Sequence, residues 1–324
     1  MTERENYLLV MNKKQPEWVP NYETAVEVIV PAIFLTHFMT PEMRDYFSVP
    51  WVMNEAGGPM VDTRQPHVME DINDWRKFVH FPDLEAFDWE GAAKMQLAQH
   101  DPNKSIMIMP NMGGGTMFMP LMNMMGFEEG LCAIVEEPEV CQEFFAYVSD
   151  FIEACIPYIV KYYKPDTIIV GDDLCSAMGS FISMNSYAEL LRPYYKKHID
   201  AIHKEGVFVE LHMCGKCEPY VYDFAEMGVD SWEPAQGSND IAAIKAKYGN
   251  NLVIVGTWCT DGPAWRPGVA EEVVRAEVRN CIDKYAPGGG MVLWTAGVVG
   301  MSQEQKIMND WVNDEAAKYG REFY

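Results

Sequence analysis

One short stretch of the sequence, residues 207–218 (VFVELHMCGKCE), combines an imidazole and thiols at a spacing that could bind a metal ion. In a β-strand alternate side chains point to the same face, so Glu210, His212 and Cys214 would share one face. The other face is wholly apolar and would be buried. A nitrogen and a thiolate two residues apart suit Zn²⁺. The alternative is a strand that runs into a loop, with a buried histidine and an inert cysteine.

Further ligand candidates come at the ends of neighbouring predicted strands. A catalytic zinc takes three protein ligands and keeps one position open. His212 and Cys214 supply two, and we choose Cys259 as the third because it ends a strand on the same side of the fold. Glu233 is the alternative third ligand, or an additional oxygen ligand. Cys217 directly precedes a predicted helix, which indicates that it faces elsewhere.

Two adjacent carboxylates, Asp172 and Asp173, end another predicted strand, at 167–173. Adjacent residues of a strand point in opposite directions, so one of the two faces the site, and the sequence leaves open which one. That carboxylate could orient a histidine, accept a hydrogen bond from substrate or act as a base. The alternative for either residue is a helix N-cap or an ion pair.

Other residues of these types are assigned by their surroundings. Four tryptophans flank the same loops and would either hold a flat apolar substrate or pack in the core: Trp232, Trp258, Trp265 and Trp294. Four cysteines at apolar positions of predicted helices are assigned to the core: Cys132, Cys141, Cys155 and Cys281. His198 and His203 lie on a lysine-rich helix and are predicted to be solvated.

Strands alternate with helices through the second half of the chain. The predicted strands, each followed by a helix, are 167–173, 207–215, 229–234, 251–259 and 290–297. This alternation is typical of parallel β/α units. With the apolar segments before them, roughly eight strands are available, which predicts a closed (β/α)₈ TIM-type barrel with function at the C-terminal strand ends. The alternative is a doubly wound open sheet, although no glycine-rich fingerprint follows a strand.

We see no linker that divides the chain, so we predict one domain over 1–324, with residues 1–80 as a helical and loop extension packed on the barrel. Capping patterns predict helices over 1–20 and 40–47. A stretch rich in glycine and proline predicts a loop over 50–66, where Asn54 and Glu55 could face a pocket.

Composition argues against several classes of function. The chain has 25 Lys and Arg against 48 Asp and Glu, and a net charge of -23 disfavours a nucleic-acid partner. No run reaches the ~18 apolar residues that a membrane span needs, and the N-terminal apolar run is too short for a signal peptide. We therefore expect a cytoplasmic protein whose eight cysteines are free or bound to metal.

Several segments together resemble the uroporphyrinogen decarboxylase-like superfamily. In chain order they are ENYLLVMNKKQPEWVP, GDDL, LLRPYYKKHIDAIHKEG, LHMCG, MGVDSWEP and APGGGMVL. The resemblance implies a (β/α)₈ barrel with helical additions before it. The decarboxylases of the superfamily grip a polycarboxylated porphyrinogen with an arginine-rich N-terminal motif. Here the region before residue 43 contains only Arg4, which argues against decarboxylation.

His212 and Cys214 match the HxC motif of another branch, the zinc-dependent, corrinoid-linked methyltransferases. In thiol-methylating members a distant cysteine completes the site, and its place falls near Ala296, where this sequence has no cysteine. Cys259 or Glu233 would then replace it. The length, the NEAGG stretch and GDDL resemble the substrate:corrinoid protein methyltransferases of anaerobic O-demethylases.

That resemblance implies transfer of a methyl group from a methoxylated aromatic to the cobalt(I) of a separate corrinoid protein. Zn²⁺ on the ether oxygen would make the phenolate a better leaving group. Asp172 or Asp173 would orient a ligand or a phenol hydroxyl. Glu233 could also orient a ligand or orient the phenol hydroxyl. The alternatives are transfer from a methyl-corrinoid to a thiol or another acceptor, and a non-enzymatic corrinoid- or porphyrin-binding barrel with a structural zinc.

Overall fold

The fold comes from a computed structural model that describes residues 1–35, 42–53, 59–110, 115–259, 262–295 and 302–324. Helices lie between and around the strands of this part of the chain. In chain order the α-helices are α1 (Glu3–Met11), α2 (Tyr22–Ala25), α3 (Trp89–Gln96), α4 (Phe118–Met125), α5 (Phe127–Glu136), α6 (Pro138–Tyr163), α7 (Met184–Leu190), α8 (Arg192–Lys204), α9 (Glu218–Met227), α10 (Ile241–Tyr248), α11 (Glu271–Tyr285) and α12 (Gln303–Tyr319).

The strands form one large parallel sheet and two small antiparallel hairpins. In chain order they are β1 (Val26–Ile29), β2 (Trp51–Met53), β3 (Pro59–Val61), β4 (Ser105–Ile108), β5 (Thr167–Val170), β6 (Cys175–Ser176), β7 (Gly179–Ser180), β8 (Phe208–His212), β9 (Ser231–Ala235), β10 (Val253–Thr257) and β11 (Met291–Trp294). The large sheet has the order β1-β4-β5-β8-β9-β10-β11, and the hairpins are β2-β3 and β6-β7.

The order of the large sheet confirms an α/β fold of the TIM type and corrects its details. The order follows the chain without the reversal that a doubly wound sheet requires, so that alternative is wrong. The prediction of eight strands in a closed barrel is also wrong for the described residues: the curled sheet has seven strands, and its ladder does not close. One isolated parallel bridge, Asn21 to Leu293, links β11 to the segment before β1.

Side chains hold the seam that the backbone ladder leaves open between β11 and β1. Thr295 donates to Oδ1 of Asn309 at 2.8 Å, and Nδ2 of Asn309 lies 3.0 Å from both carboxylate oxygens of Glu23. Nδ2 of Asn313 donates to the same carboxylate at 2.8 Å. Because Glu23 belongs to α2 and both asparagines belong to α12, this network ties the last helix to the entry of the first strand.

The N-terminal helix α1 covers one end of the barrel. Tyr7, Val10 and Met11 belong to the apolar cluster that fills the interior. Arg4 forms an ion pair with Asp166, just before β5, at 2.6 Å, so α1 lies at the N-terminal ends of the strands. The opposite, C-terminal end is therefore the mouth of the barrel.

Three predictions about the N-terminal region need correction. The first helix has the expected capping box at Thr2 but ends at Met11, because the polar run that follows has no apolar face to bury. The predicted loop 50–66 contains the β2-β3 hairpin. Residues 42–47 form turns rather than a helix. Residues 36–41 and 54–58, with Asn54 and Glu55, lie outside the described residues.

No helix in the described ranges is long and apolar enough to cross a bilayer.

Candidate metal centre at the barrel mouth

Three of the side chains that the sequence analysis singled out as candidate site residues lie together at the ends of two adjacent strands. His212 is the last residue of β8, Cys214 follows it by two positions, and Asp173 follows β5. The two strands pair with Thr167 opposite Phe208 and Ile169 opposite Glu210. Asp173 and Cys214 lie on the segments that leave these two adjacent parallel strands at the same end. The two strand ends therefore deliver a carboxylate, an imidazole and a thiol to one place.

The distances within this cluster fit a tetrahedral metal site. Nε2 of His212 lies 3.6 Å from Oδ1 of Asp173 and 3.8 Å from Sγ of Cys214. The three ligand atoms all lie within 4.8 Å of one another. Tetrahedral zinc with ordinary Zn–N, Zn–O and Zn–S bonds separates its ligand atoms by about 3.3 to 3.7 Å. The two separations from Nε2 of His212 are close to these values.

The surroundings of Oδ1 of Asp173 give a second indication of a cation site. This oxygen is buried and accepts no hydrogen bond from the described residues. Burial raises the pKa of Asp173, but contacts with His212 and the amide of Cys214 outweigh it and lower the pKa overall. A buried ionised carboxylate oxygen without a hydrogen-bond donor is costly unless a cation lies beside it, and that cation is either the protonated imidazole of His212, 3.6 Å away, or a bound metal ion. The donor set of nitrogen, thiolate and carboxylate oxygen suits Zn²⁺.

Glu233 fixes the orientation of the imidazole. It pairs with His212 across β8 and β9, and its Oε1 lies 2.5 Å from Nδ1 of His212. Nε2 is thereby left to point at Asp173 and Cys214. Burial lowers the pKa of His212, but the carboxylates of Glu233 and Asp173 overcome it and raise that pKa well above its usual value. This carboxylate–histidine contact is the usual support of a metal-binding histidine.

The loop that carries Cys214 is clamped from two sides. Gly215 has a φ of +83°, and a Cβ there would lie 2.6 Å from the carbonyl oxygen of Ser176 in the β6-β7 hairpin. The amide of Gly215 donates to Oε1 of Gln236 at 2.7 Å, and Nδ2 of Asn239 donates to its carbonyl at 2.8 Å. A glycine is required here because of both the conformation and the close approach.

Asp172 points away from the cluster and holds the start of α4. Its buried carboxylate accepts five hydrogen bonds, from the amides of Thr116, Met117 and Met119, the hydroxyl of Thr116 and the hydroxyl of Tyr195. Burial raises the pKa of Asp172, and the donated hydrogen bonds oppose that shift. Asp172 is not itself the N-cap residue of α4, which is Met117, but its carboxylate accepts the hydrogen bonds of the amides at the start of that helix.

Glu210 lies below His212 on the same inner face of β8. It is fully buried, and it accepts hydrogen bonds from Ser231 at 2.7 Å and from Tyr22 at 3.3 Å. Burial and then the charge of Glu233 raise the pKa of Glu210 to about 8. The shared face predicted for Glu210 and His212 is present, since the register of β8 with β9 places Ser231 and Glu233 opposite them.

The structure does not bring Cys259 into the three-ligand cluster. Cys259 follows β10 at the same end of the barrel, is half-buried, and packs against Gly237 and Gly262. Its role as third ligand stays a prediction. The described geometry instead groups Asp173 with His212 and Cys214. The sequence offered Asp173 only as one of two adjacent carboxylates at a strand end, and it contained no signal that Asp173 rather than Asp172 lies beside His212.

Several other assignments from the sequence are settled by burial. Cys217 is buried, whereas Cys132 is exposed and its assignment to the core is wrong. His198 is also buried, not solvated, because it shares the inner face of α8 with Tyr195 and Ile202. Three of the four tryptophans are buried, namely Trp232, Trp258 and Trp265. The fourth, Trp294, keeps an accessible surface.

The fold and the cluster define a TIM-type α/β protein with a mixed-ligand site at the barrel mouth. The chain belongs to the uroporphyrinogen decarboxylase (URO-D) family, whose model matches residues 46–307. Among solved structures it is similar to a methyltransferase from Methanosarcina mazei, with a TM-score of 0.67 and 14% identity over 98% of this chain and 99% of that chain. At this identity the likeness shows the fold alone. No curated protein matches the sequence.

Proposed function

We propose that this chain is a zinc-dependent methyltransferase that moves a methyl group from a methoxylated aromatic to the cobalt(I) of a corrinoid protein. The observation that carries the proposal is the cluster of Asp173, His212 and Cys214 at the barrel mouth, with Glu233 behind the imidazole. Three ligands leave a fourth position for substrate, which is the arrangement of catalytic rather than structural zinc. The fold shared with a methyltransferase supports the reaction class.

The reaction breaks the bond between the methyl carbon and the ether oxygen. The electron pair of that bond stays on the oxygen, which leaves as a phenolate and then takes a proton, while cobalt(I) forms the new bond to carbon. When bound, zinc supplies a Lewis acid that makes this oxygen a better leaving group. The chain's own residues orient the cluster that would bind the ether oxygen of the methyl donor: Glu233 fixes the imidazole, and Gln236 and Asn239 fix the cysteine loop.

Decarboxylation, which the family name suggests, fits the site poorly. Asp173 and Glu233 place carboxylates at the mouth, within a chain of net charge -23. A polycarboxylated substrate would be repelled there.

The contacts of Cys214 also favour a second candidate, a cysteine nucleophile in a Cys–His–Glu triad. Sγ of Cys214 lies 3.8 Å from Nε2 of His212, and Nδ1 of His212 contacts Glu233. Burial raises the pKa of Cys214, so the thiol lacks the thiolate character that a nucleophile needs. The carboxylate of Asp173 beside it acts in the same direction. We therefore place this candidate second.

Metal analysis of the purified protein tests the proposal. Purified under anaerobic, zinc-replete conditions, the wild type should hold near one zinc per chain, and Asp173→Ala, His212→Ala and Cys214→Ala should each lose it. Cys259→Ala is the matched control and should keep its zinc. Loss of zinc from Cys259→Ala together with its retention in Asp173→Ala would restore Cys259 as the ligand.

Methyl transfer is then measured with cobalt(I) cobalamin and 2-methoxyphenol under anaerobic conditions, by the absorbance change of the corrinoid. Wild-type activity that needs zinc supports the proposal. A wild type that holds no zinc, and whose Cys214 is rapidly alkylated by iodoacetamide, would overturn it and move the cysteine nucleophile to the front.

A further inference from the structure

The inner wall of the barrel mouth has an apolar half opposite the metal-binding half. Val28 of β1 shares the parity of Val26, which belongs to the interior cluster, and Met109 and Trp294 pack against that cluster. These three side chains are partly accessible at the mouth. They lie on β1, just after β4 and on β11, which are consecutive around the wall once the Asn21–Leu293 bridge is included.

The metal-binding half of the mouth is formed at the ends of three other consecutive strands, β5, β8 and β9. Asp173 follows β5, His212 ends β8, and Glu233 lies on β9. The order of the sheet therefore separates the mouth into one arc of apolar side chains and one arc of ligands and carboxylates. A ligand that fits both arcs has an apolar body and a heteroatom at one edge.

Trp294 has the largest side chain of the apolar arc, and its ring packs against the ring of Tyr22. Its ring lies 4.6 Å from the ring of Tyr22, with an angle of 31° between the planes. The hydroxyl of Tyr22 lies 3.0 Å from Sδ of Met107 and donates to Glu210 at 3.3 Å. Tyr22 is buried, whereas Trp294 keeps an accessible surface. The indole is therefore a fixed platform with a free part that faces the mouth.

We infer that Trp294, with Val28 and Met109, is the specificity surface of the site and binds the aromatic ring of the methyl ether. An indole held flat by a second ring presents a π-face that favours another aromatic ring over an aliphatic chain of similar polarity. The ether oxygen at the edge of that ring then lies toward the cluster. This inference rests on the proposed function, because it assigns the residues that recognise the aromatic ring of the substrate proposed there.

Two ligands that differ only in the ring test the inference. 2-Methoxyphenol and 2-methoxyethanol both carry a methyl ether next to a hydroxyl, but only the first is aromatic. Their binding to the zinc-loaded protein is measured by NMR titration of the ligand methyl signal, without any corrinoid. The wild type should bind the aromatic ligand more tightly. Trp294→Ala should weaken that binding about tenfold or more, and Trp294→Phe should keep most of it.

Trp311 on α12, partly buried in a different cluster, is the matched control. Trp311→Ala should bind both ligands like the wild type, and every variant should keep its zinc. The inference fails if the wild type shows no preference for the aromatic ligand, or if Trp294→Ala binds it as tightly as the wild type with zinc intact.

The outcome separates this inference from the proposed function. Ring binding that depends on Trp294, without methyl transfer to cobalt(I), would leave the specificity surface in place and remove the reaction. Methyl transfer from aliphatic donors that is indifferent to Trp294→Ala would keep the reaction and remove the specificity surface.

Discussion

Asp172 and Asp173 are neighbours in the chain, and their surroundings differ in almost every respect. Asp172 is fully buried and accepts five hydrogen bonds, three of them from amides at the start of α4. Asp173 faces the mouth, and its Oδ1 has no hydrogen-bond donor among the described residues. Both residues follow the end of β5 and Gly171, whose φ is +129°, and the segment after this glycine sends the two carboxylates to different surroundings. The carboxylate of Asp172, whose oxygens accept hydrogen bonds, stabilises the fold. The carboxylate of Asp173, whose Oδ1 accepts none among the described residues, belongs to the candidate metal site.

The same distinction applies to two other polar residues. His198 is buried between α6 and α8, where its Nε2 lies 2.9 Å from Oγ and 3.1 Å from the carbonyl oxygen of Ser149. Glu233 has one oxygen on His212 and a second, Oε2, that is buried without a partner in the described chain. We expect His198, like Asp172, to affect folding, and Glu233, like Asp173, to affect metal binding.

The largest contrast should come from alanine at the two adjacent positions. Asp172→Ala leaves several donors buried without an acceptor, so the metal-free protein should lose about 3–5 kcal/mol of unfolding free energy. Asp173→Ala removes fewer contacts, those of its carboxylate with His212 and the amide of Cys214, so its metal-free stability should fall by less, about 1–2 kcal/mol, while zinc is lost. Urea unfolding of the metal-free proteins and zinc content of the loaded proteins measure the two effects. Equal losses of stability would show that the comparison is wrong.

His198 should make the fold sensitive to acid. Burial lowers the pKa of His198 from 6.5 to about 4. Between these values the unfolded chain binds a proton that the folded protein excludes, so this contribution is complete above pH 6.5 and is lost as the pH falls toward 4. His198→Gln, which cannot titrate, should lack this loss, which is on the order of 3 kcal/mol for the wild type.

Urea unfolding of both proteins at pH 7 and pH 4.5 gives the difference, and the carboxylates common to both cancel. Parallel losses of stability in the two proteins would mean that His198 is not held neutral. Ser149→Ala removes the hydroxyl but keeps the carbonyl acceptor, so it should preserve most of the pH dependence and serves as the control.

The sequence allowed much of this arrangement to be predicted, because strand parity and strand order are local properties. Parity along 207–214 placed Glu210, His212 and Cys214 on one face. The alternation of strands and helices indicated a TIM-type fold. The capping box at Thr2 located the start of α1 correctly.

What the sequence could not supply depends on long-range packing. Cys259 and Asp173 both follow strands at the same end of the barrel, and only the register between β5 and β8 separates them. His198 was assigned to solvent because of the lysines beside it, although Tyr195 and Ile202 repeat at helical spacing on its own face. The open seam between β11 and β1 depends on side chains from α2 and α12, which are 286 residues apart at the Asn309–Glu23 contact.

The smallest effect, and the sharpest test of the site side of the comparison, is expected for Glu233→Gln. Glutamine can keep the hydrogen bond to Nδ1 of His212 but loses the charge that makes the imidazole a stronger ligand. The zinc dissociation constant, measured by competition with a chromogenic chelator, should rise about 10- to 100-fold. Glu210→Gln is the matched control: its carboxylate contacts Ser231 and Tyr22 instead of the imidazole, so its zinc affinity should stay near that of the wild type. If Glu233→Gln binds zinc like the wild type but unfolds at a lower urea concentration, then Glu233 belongs with Asp172 among the residues that support the fold, and the imidazole is oriented by its strand alone.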